Sequence, residues 1–320
     1  MMSPEEMLKD FPHQLEWEKS DIDLSLYRTI TFCGMGGSGI VGDVARSWME
    51  HRGCKLPVMT YRGYGLPNFV RGEEDLVVCI SYSGNTEETI SNFQEALDRQ
   101  ATVLSISSGG KLERLSEESG VLHLKIPTGY APRYALGHML SKVLSILGIE
   151  KDELEDAREN LRENYEEIKK KGEEIAQRLY GYVPVIYATP LTEVSAFRWK
   201  TQINENSKTQ AYFAVLPEMH HNEVVGLENG EIRSKFSFVV MFDPKDHDRV
   251  RRRVDLTIKV LKDLGISPVV IGGDGNSYLA RLLYLIHVGD WASYYLAGKY
   301  RFEPLPVKTI EWIKEELSKS

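Results

Sequence analysis

The segment from Ser81 to Thr89 could hold an anion without a positively charged side chain. It places hydroxyls, a glycine and an amide after the apolar stretch Leu76–Ile80, which is typical of a buried parallel strand, and before a helical pattern that begins near Ile90. The first N–H groups of a helix lack internal partners, and the helix dipole is positive there. We therefore predict a neutral phosphate cup. Ordinary helix capping, with Asn85 as N-cap and Glu88 as its partner, is the alternative.

A glycine-rich loop lies upstream of that segment, after a β-rich stretch at 29–33. The spacing G-x-G-x-x-G is met by Gly34, Gly36 and Gly39, and such loops let a ligand approach the backbone closely. A dinucleotide site would also need a carboxylate at the end of the next strand, where this sequence has Tyr61 and Arg62. A phosphate site is therefore preferred, and an NADP site that uses Arg62 is the alternative.

These two loops, GMGGSG (34–39) and SYSGNTEET (81–89), resemble the sugar isomerase (SIS) domain, a flavodoxin-like unit that binds phosphosugars. Three further motifs resemble the bifunctional phosphoglucose/phosphomannose isomerases of archaea and bacteria: SSGGKLERL (107–115), APRYALG (131–137) and NENSKTQAYFAVLPEMHHNEVVG (204–226). The resemblance extends from Gly34 to the C-terminal helix and so covers nearly the whole chain. It implies an α/β fold of two flavodoxin-like SIS domains, each a parallel sheet flanked by helices.

The resemblance also implies an activity, an aldose–ketose isomerase that interconverts glucose 6-phosphate and mannose 6-phosphate with fructose 6-phosphate. The proton would pass through an enediol, and no metal or redox cofactor is implied. Such chemistry needs a base, a donor for the developing oxyanion and a group that opens the sugar ring. The residues expected to hold the phosphate and the sugar hydroxyls are Gly36, Gly37, Ser38, Ser81, Ser83 and Thr86.

The resemblance assigns the proton-transferring carboxylate to Glu205, which lies between Asn204 and Asn206 where a predicted helix ends. The two amides could fix the carboxylate by hydrogen bonding, and partial desolvation would make it a stronger base. The alternative is a surface glutamate without a role, because glutamate is mostly exposed in proteins.

Two adjacent histidines follow the predicted strand at 212–216. The resemblance assigns ring opening to His221, and a histidine titrates in the pH range that this step needs. A zinc site is the alternative. Neighbouring side chains on an extended segment point to opposite faces, however, which disfavours a shared metal ion. We therefore expect His220 to be structural.

Arg133, in the APR motif, remains charged at all relevant pH values and suits an enediolate oxygen. A surface salt bridge is the alternative role for this arginine. Lys314, in the last predicted helix, matches a lysine that the family has near its site. Family threonines upstream of that lysine are associated with the use of mannose, and here the matching position is Val307, with Thr309 nearby. Tolerance of the second sugar is therefore open.

The elements that must position these residues follow an α/β pattern. Strand and helix patterns alternate along the first half, with strands expected at 29–33, 56–61, 76–80, 102–106 and 121–126. A charged run over 151–178 with apolar residues at helical spacing predicts one long exposed helix. The second half is expected to contain strands at 183–187, 212–216, 236–241 and 268–271, and helices at 192–202, 249–264, 276–296 and 307–317. We thus predict an N-terminal SIS domain over 1–150, a linker helix over 151–180 and a C-terminal SIS domain over 181–320 that carries the catalytic Glu and His.

The composition limits the classes of partner. The formal charge of −8 argues against nucleic-acid binding, because no basic surface is available to displace counterions. The sequence has neither a basic, apolar leader nor an apolar run of membrane-spanning length, so we expect a cytoplasmic protein without membrane partners. Three cysteines cannot all pair, and we expect the thiols at Cys33 and Cys79 to be buried and free.

The resemblance also implies hexose 6-phosphates as substrates and an isologous homodimer as the assembly. His221 is a candidate for donation across the dimer interface. Two functions from other classes remain as alternatives: a non-catalytic phosphosugar sensor built from SIS domains, and the isomerase half of an amidotransferase. Glu205, His221 and Arg133 weigh against the sensor, and the lack of an ammonia-producing domain weighs against the amidotransferase.

Overall fold

The computed structural model describes residues 2–20 and 22–319 of this chain. These residues form two compact units. Unit 1 comprises the residues up to Glu163 together with Asp274–Leu283, and unit 2 comprises Asn164–Gly273 together with the residues from Tyr284 onwards. The predicted boundaries at 150 and 180 differ from these bounds, since the first break follows Glu163 and ten residues from later in the chain also belong to unit 1.

Unit 1 is built on a five-stranded parallel sheet. Its strands are β1 (Thr29–Cys33), β2 (Val58–Tyr61), β3 (Asp75–Ile80), β4 (Thr102–Ser107) and β5 (Leu122–Lys125), in the order β2-β1-β3-β4-β5. Every residue of the central strand β3 is buried, as expected of a strand covered on both faces. This strand order is the flavodoxin-like one, and all five predicted strands are confirmed.

Six helices of unit 1 precede or follow these strands: α1 (Pro4–Asp10), α2 (Gly36–His51), α3 (Glu87–Asp98), α4 (Gly110–Ser119), α5 (Leu136–Ile146) and α6 (Lys151–Glu163). Apolar residues spaced three or four positions apart form the buried face of these helices. In α3, for example, Ile90, Phe93 and Ala96 are buried, and Phe93 packs into a cluster with Val77 and Leu112.

Unit 2 contains a four-stranded parallel sheet in the order β7-β6-β8-β9. The strands are β6 (Val183–Ala188), β7 (Tyr212–Val215), β8 (Phe236–Phe242) and β9 (Val269–Gly272), so the four predicted strands of the second half are confirmed. The helices are α7 (Tyr165–Leu179), α8 (Glu193–Ser207), α9 (Glu223–Gly226), α10 (Gly230–Arg233), α11 (Asp248–Asp263), α12 (Tyr278–Tyr300) and α13 (Lys308–Leu317). The first six residues of α12 belong to unit 1 and the rest to unit 2. The predicted fold class, parallel sheets flanked by helices, is therefore confirmed.

Two helices of unit 2 are joined by a buried ion pair. Arg198 of α8 donates to both carboxylate oxygens of Asp290 of α12, at 3.1 and 3.0 Å. Both side chains are almost fully buried, so the two-point contact compensates charges that water cannot reach. Burial nevertheless raises the pKa of Asp290, with Arg198 acting against that shift.

The charged run differs from the prediction. Where the sequence predicts one helix over 151–178, the structure has α6 and α7 with a break at Asn164, whose backbone leaves helical geometry before Tyr165. Asparagine competes with the helix backbone for hydrogen bonds and favours such ends. Among residues 2–20 and 22–319, no helix is long and apolar enough to cross a bilayer.

Candidate active site

The two loops predicted to hold phosphate lie side by side at the carboxyl edge of the unit 1 sheet. The first follows β1 and the second follows β3, and these strands are direct neighbours, with Cys33 opposite Cys79. In the order β2-β1-β3-β4-β5, the chain after β1 passes to one side of the sheet, to β2, and the chain after β3 passes to the other side, to β4. Ligands of open α/β sheets bind at such a switch point, because the loops diverge there and leave a crevice.

Ser38 joins the two loops. Its Oγ accepts a hydrogen bond from the Tyr82 N–H at 3.1 Å and lies 3.4 Å from the sulfur of Met139. At the start of α2, Gly36 has a φ of +50°, and a Cβ added there would meet no atom within 4 Å. The space in front of the first turn of α2 is therefore open, and an anion can approach its N–H groups.

The second loop is held by its own hydroxyls. Ser81 Oγ and Thr86 Oγ1 are 2.8 Å apart, and Ser83 Oγ accepts the Asn85 N–H at 3.3 Å. The loop is also packed tightly from behind. Gly84 has a φ of +67°, and a Cβ there would lie 1.7 Å from the carbonyl oxygen of Gly109.

The helix-capping interpretation of this loop is wrong. The N-cap of α3 is Thr86, and it makes no side-chain capping bond. Asn85 instead accepts the Lys111 N–H at 2.9 Å and donates to the Ser83 carbonyl at 3.1 Å, which ties the loop to the start of α4. The first turn of α3 therefore carries no side-chain cap of its own.

Arg133 lies against the first loop. It belongs to a short 3-10 helix, Pro132–Tyr134, and a Cβ on Gly37 would lie 3.1 Å from the Arg133 Cα. The arginine is 4% exposed, and its guanidinium carbon is 5.3 Å from the centre of the Tyr134 ring. Arg133 is therefore a buried side chain and not a surface one. Unit 1 brings Arg133 together with the two loops that carry the predicted phosphate-binding residues.

Arg62, the residue considered for an NADP site, forms a salt bridge with Asp43 of α2. Its Nε would lie 2.8 Å from a Cβ on Gly39, so it also packs against the third glycine of the fingerprint. The arginine is thus engaged by the helix that follows the loop.

In unit 2, Glu205 lies in the last turn of α8 and is half-buried. The flanking amides fix this end of the helix. Asn204 Oδ1 accepts the Ala211 N–H at 3.0 Å, and Asn206 Nδ2 donates to Ser293 Oγ of α12 at 2.9 Å. The predicted helix end at 202 is therefore too early by five residues, because buried Asn206 and Ser207 continue α8.

A cavity of about 880 Å³ opens beside Glu205. One side is formed by the end of α8 and the segment that follows it, and the other by the chain from Phe302 to the start of α13. Its lining residues are Lys200, Asn204, Glu205, Lys208, Thr209, Gln210, Ala211, Tyr212, Phe302, Glu303, Pro306, Val307, Lys308, Thr309 and Ile310. The structure thus brings Val307 and Thr309 together with Glu205, whereas Lys314 is not among the described lining residues and lies on an exposed helix.

The two histidines differ in their surroundings. His220 Nε2 lies 2.8 Å from Thr257 Oγ1, and Arg253 Nη1 lies 3.2 Å from His220 Nδ1, so its partners are side chains of α11. Burial and the charge of Arg253 lower the pKa of His220, which keeps the ring neutral. These contacts agree with a structural role for His220. His221 is exposed to solvent at the end of a 3-10 helix, Glu218–His221.

Glu205 and His221 lie at opposite edges of the unit 2 sheet. Helix α8 leaves the carboxyl end of β6 and returns to the amino end of β7, where Asn204 binds Ala211. His221 instead follows the carboxyl end of β7. The extended chain from Ala211 to Leu216 spans about 16 Å at the usual rise per residue of a strand. The length of β7 therefore separates the end of α8 that carries Glu205 from the segment that carries His221.

Sequence reasoning missed Lys208 and the wall formed by Phe302–Ile310. Lys208 follows α8 in a left-handed backbone conformation, φ 54° and ψ 30°, where glycine is usual. The only signal in the sequence is a lysine at the end of the Asn-Glu-Asn-Ser run. In the described part of the chain, no group of three or more His, Cys, Asp or Glu side chains is arranged to hold a metal ion.

Two family descriptions match the chain. The SIS domain matches residues 23–144, and the bacterial phospho-glucose isomerase C-terminal SIS domain matches residues 168–317. The two matches fall on the two sheets described above.

Relatives extend the similarity to nearly full length. The chain is 57% identical over 313 residues to the bifunctional phosphoglucose/phosphomannose isomerase of Aquifex aeolicus, covering 98% of each chain. It is 39% identical over 304 residues to the enzyme of that name from Caldicellulosiruptor bescii, covering 90% of this chain and 89% of the relative. A solved structure of a hypothetical protein from Thermus thermophilus superimposes with a TM-score of 0.75 at 16% identity, over 99% of this chain and 88% of that one, which bears on the fold alone.

Proposed function

The chain belongs to the bifunctional phosphoglucose/phosphomannose isomerases, and from this premise we propose that it interconverts glucose 6-phosphate and mannose 6-phosphate with fructose 6-phosphate. As an isomerase it moves a carbonyl between C1 and C2 of the sugar. We propose that the proton passes through an enediol, that no metal ion takes part and that the reaction belongs to cytoplasmic carbohydrate metabolism.

The observation that carries this proposal is that the β1 and β3 loops lie side by side at the switch point of the sheet, with Arg133 packed against the first loop. The phosphate would bind at the starts of α2 and α3, where open N–H groups and the helix dipoles favour an anion. Gly36 leaves the backbone accessible there, and Gly37 lets Arg133 pack closely against the loop. The hydroxyls of Ser38, Ser81 and Thr86 lie on the two loops. The residues that would contact the phosphate and the sugar hydroxyls are Gly36, Gly37, Ser38, Ser81, Ser83 and Thr86.

Glu205 would act as the base that carries the proton between C2 and C1. Its carboxylate stands in a half-buried position beside a cavity, on a helix end that Asn204 and Asn206 hold in place. A base fixed in this way typically contributes about 10²–10⁴ in rate. Arg133 would stabilise the negative charge that develops on the enediolate oxygen, a contribution of about 10²–10³ for one well-placed donor. Lys314 would add a cation near the site.

His221 would open the sugar ring, and the geometry of unit 2 supports its donation by a second copy of the chain. The end of α8 that carries Glu205 meets the amino end of β7, and His221 follows its carboxyl end, with about 16 Å of extended chain between Ala211 and Leu216. This separation along the sheet favours a site that two copies complete. In an isologous dimer the same surfaces meet twice, so two complete sites would form, each with Glu205 from one subunit and His221 from its partner.

The test is isomerisation of fructose 6-phosphate by EDTA-treated protein, with both aldose phosphates quantified. The proposal expects glucose 6-phosphate and mannose 6-phosphate in the absence of metal. Glu205→Gln should abolish turnover and retain phosphosugar binding, because the amide keeps the shape of the side chain but cannot accept the proton. Full activity in that variant, or the absence of either product from the wild type, would refute the assignment.

A further inference from the structure

The residue after α8 combines an unfavourable backbone conformation with a specific side-chain contact. Lys208 has φ 54° and ψ 30°, the left-handed region that favours glycine. A glycine would end the helix with less strain. The advantage of a lysine at this position must therefore come from the contacts of its side chain.

The Lys208 ammonium bridges two carbonyl oxygens. Nζ donates to the Glu205 carbonyl at 2.6 Å and to the buried Pro304 carbonyl at 2.9 Å. The Glu205 carbonyl lies in the last turn of α8. The Pro304 carbonyl belongs to the 302–310 segment, whose neighbouring residues Glu303 and Pro306 line the opposite wall of the cavity.

Both walls of the cavity are thereby tied to one charged group. The first wall carries Glu205, and the second carries Val307 and Thr309. An ammonium group donates up to three hydrogen bonds. Its positive charge makes each hydrogen bond to a carbonyl oxygen stronger than one from a neutral donor.

We propose that Lys208 is a positioning residue that holds the 302–310 segment at a fixed place relative to the end of α8 that carries Glu205. In this way it sets the turnover of the isomerase and the ratio in which the two aldose phosphates form. The inference rests on the proposed function, in which Glu205 moves the proton. A displacement of about 1 Å at a reacting group can cost roughly 100-fold in rate.

Three variants separate the effect of the Lys208 ammonium group from the effect of the backbone conformation at this position. Lys208→Met keeps most of the stem and removes the charge, and it should lower kcat at least tenfold with less than a threefold change in KM. Lys208→Arg keeps a donor and should restore most of the lost kcat. Lys208→Gly relieves the backbone, so it should unfold at the same or a higher temperature than the wild type and still have the low kcat.

Gln100→Gly is the matched control. Gln100 is another exposed residue with positive φ, 58°, at the end of α3 and outside the proposed site. This change should leave kcat and the product ratio unchanged. For Lys208→Met, the ratio of mannose 6-phosphate to glucose 6-phosphate formed from fructose 6-phosphate should shift measurably, which a loss of stability alone would not cause.

Wild-type kcat and product ratio in Lys208→Met, with an inactive Glu205→Gln, would overturn this inference and leave the proposed function intact. Wild-type kcat in Lys208→Gly would do the same, because it would show that the side chain has no part. Full turnover by Glu205→Gln would refute the proposed base and this inference with it.

Discussion

Acidification should destabilise unit 2 through one buried histidine. His287 lies within α12, and its Nε2 accepts a hydrogen bond from the Trp291 indole N–H at 3.3 Å. Burial and the charge of Arg198 lower the pKa of His287 to about 3, from an ordinary value of 6.5. Protonation would remove the acceptor and place a second cation near Arg198, so the ring is neutral in the folded protein.

The sign and size of the effect follow from this shift. The pKa of the folded state lies below that of the unfolded state, so the stabilisation is complete above pH 6.5 and is lost as the pH falls from 6.5 towards 3. At pH 5 the unfolded state is favoured by about 2 kcal/mol relative to pH 8, since each pKa unit is worth about 1.36 kcal/mol. The raised pKa of Asp290 acts in the opposite sense, because the folded state then binds its proton more readily.

The assay is guanidinium unfolding at pH 8 and pH 5, followed by the fluorescence of Trp199 and Trp291, both fully buried in unit 2. In His287→Gln the loss of unfolding free energy between these pH values should be smaller than in the wild type by about 2 kcal/mol. His13→Gln, which changes an exposed histidine, should keep the wild-type pH dependence. An unchanged pH dependence in His287→Gln would refute the reasoning.

Three further predictions concern the ion pair, the second loop and the assembly. Arg198→Met leaves the buried carboxylate of Asp290 uncompensated and should lower the unfolding free energy by about 3–5 kcal/mol in calorimetry or denaturant titration; a loss below about 1 kcal/mol would contradict this. Gly84→Ala places a methyl group 1.7 Å from a backbone oxygen, so phosphosugar affinity in calorimetric titration should fall more than tenfold, and wild-type affinity would exclude our account of the loop. A mixture of inactive Glu205→Gln and His221→Ala chains, unfolded and refolded together, should regain about a quarter of wild-type activity if the site is shared in a dimer. No recovery in correctly assembled mixed dimers would place both groups in one subunit's site.

The local pattern of apolar residues in the sequence is enough to predict the strands of both sheets. The run Leu76–Ile80 is continuously apolar, and only a strand covered on both faces accommodates it over so short a length. The parallel order then follows from the alternation with helices. The places of the two loops proposed to hold the phosphate are predictable for the same reason, because these loops are the strand-to-helix turns of neighbouring strands and need no long-range contact to be recognised.

Features that depend on distant partners are not predictable in this way. The predicted helix end at 202 is too early because Asn206 and Ser207 are typical of helix ends, whereas here both bind Ser293 of α12. Likewise, nothing local indicates that the Lys208 ammonium reaches Pro304. The tie exists only when the chain 96 positions later returns to the end of α8.

The division of the chain into units has a consequence for how the protein is made. Unit 1 lacks residues 274–283 until the ribosome has passed Leu283, about 120 residues after Glu163. At ordinary elongation rates that delay is on the order of ten seconds. During this time the contacts of Asn160 with the Asp274 carbonyl and of Ser47 with the Tyr278 hydroxyl cannot form. The nascent first half is therefore complete only when this short downstream piece of the chain has been synthesised.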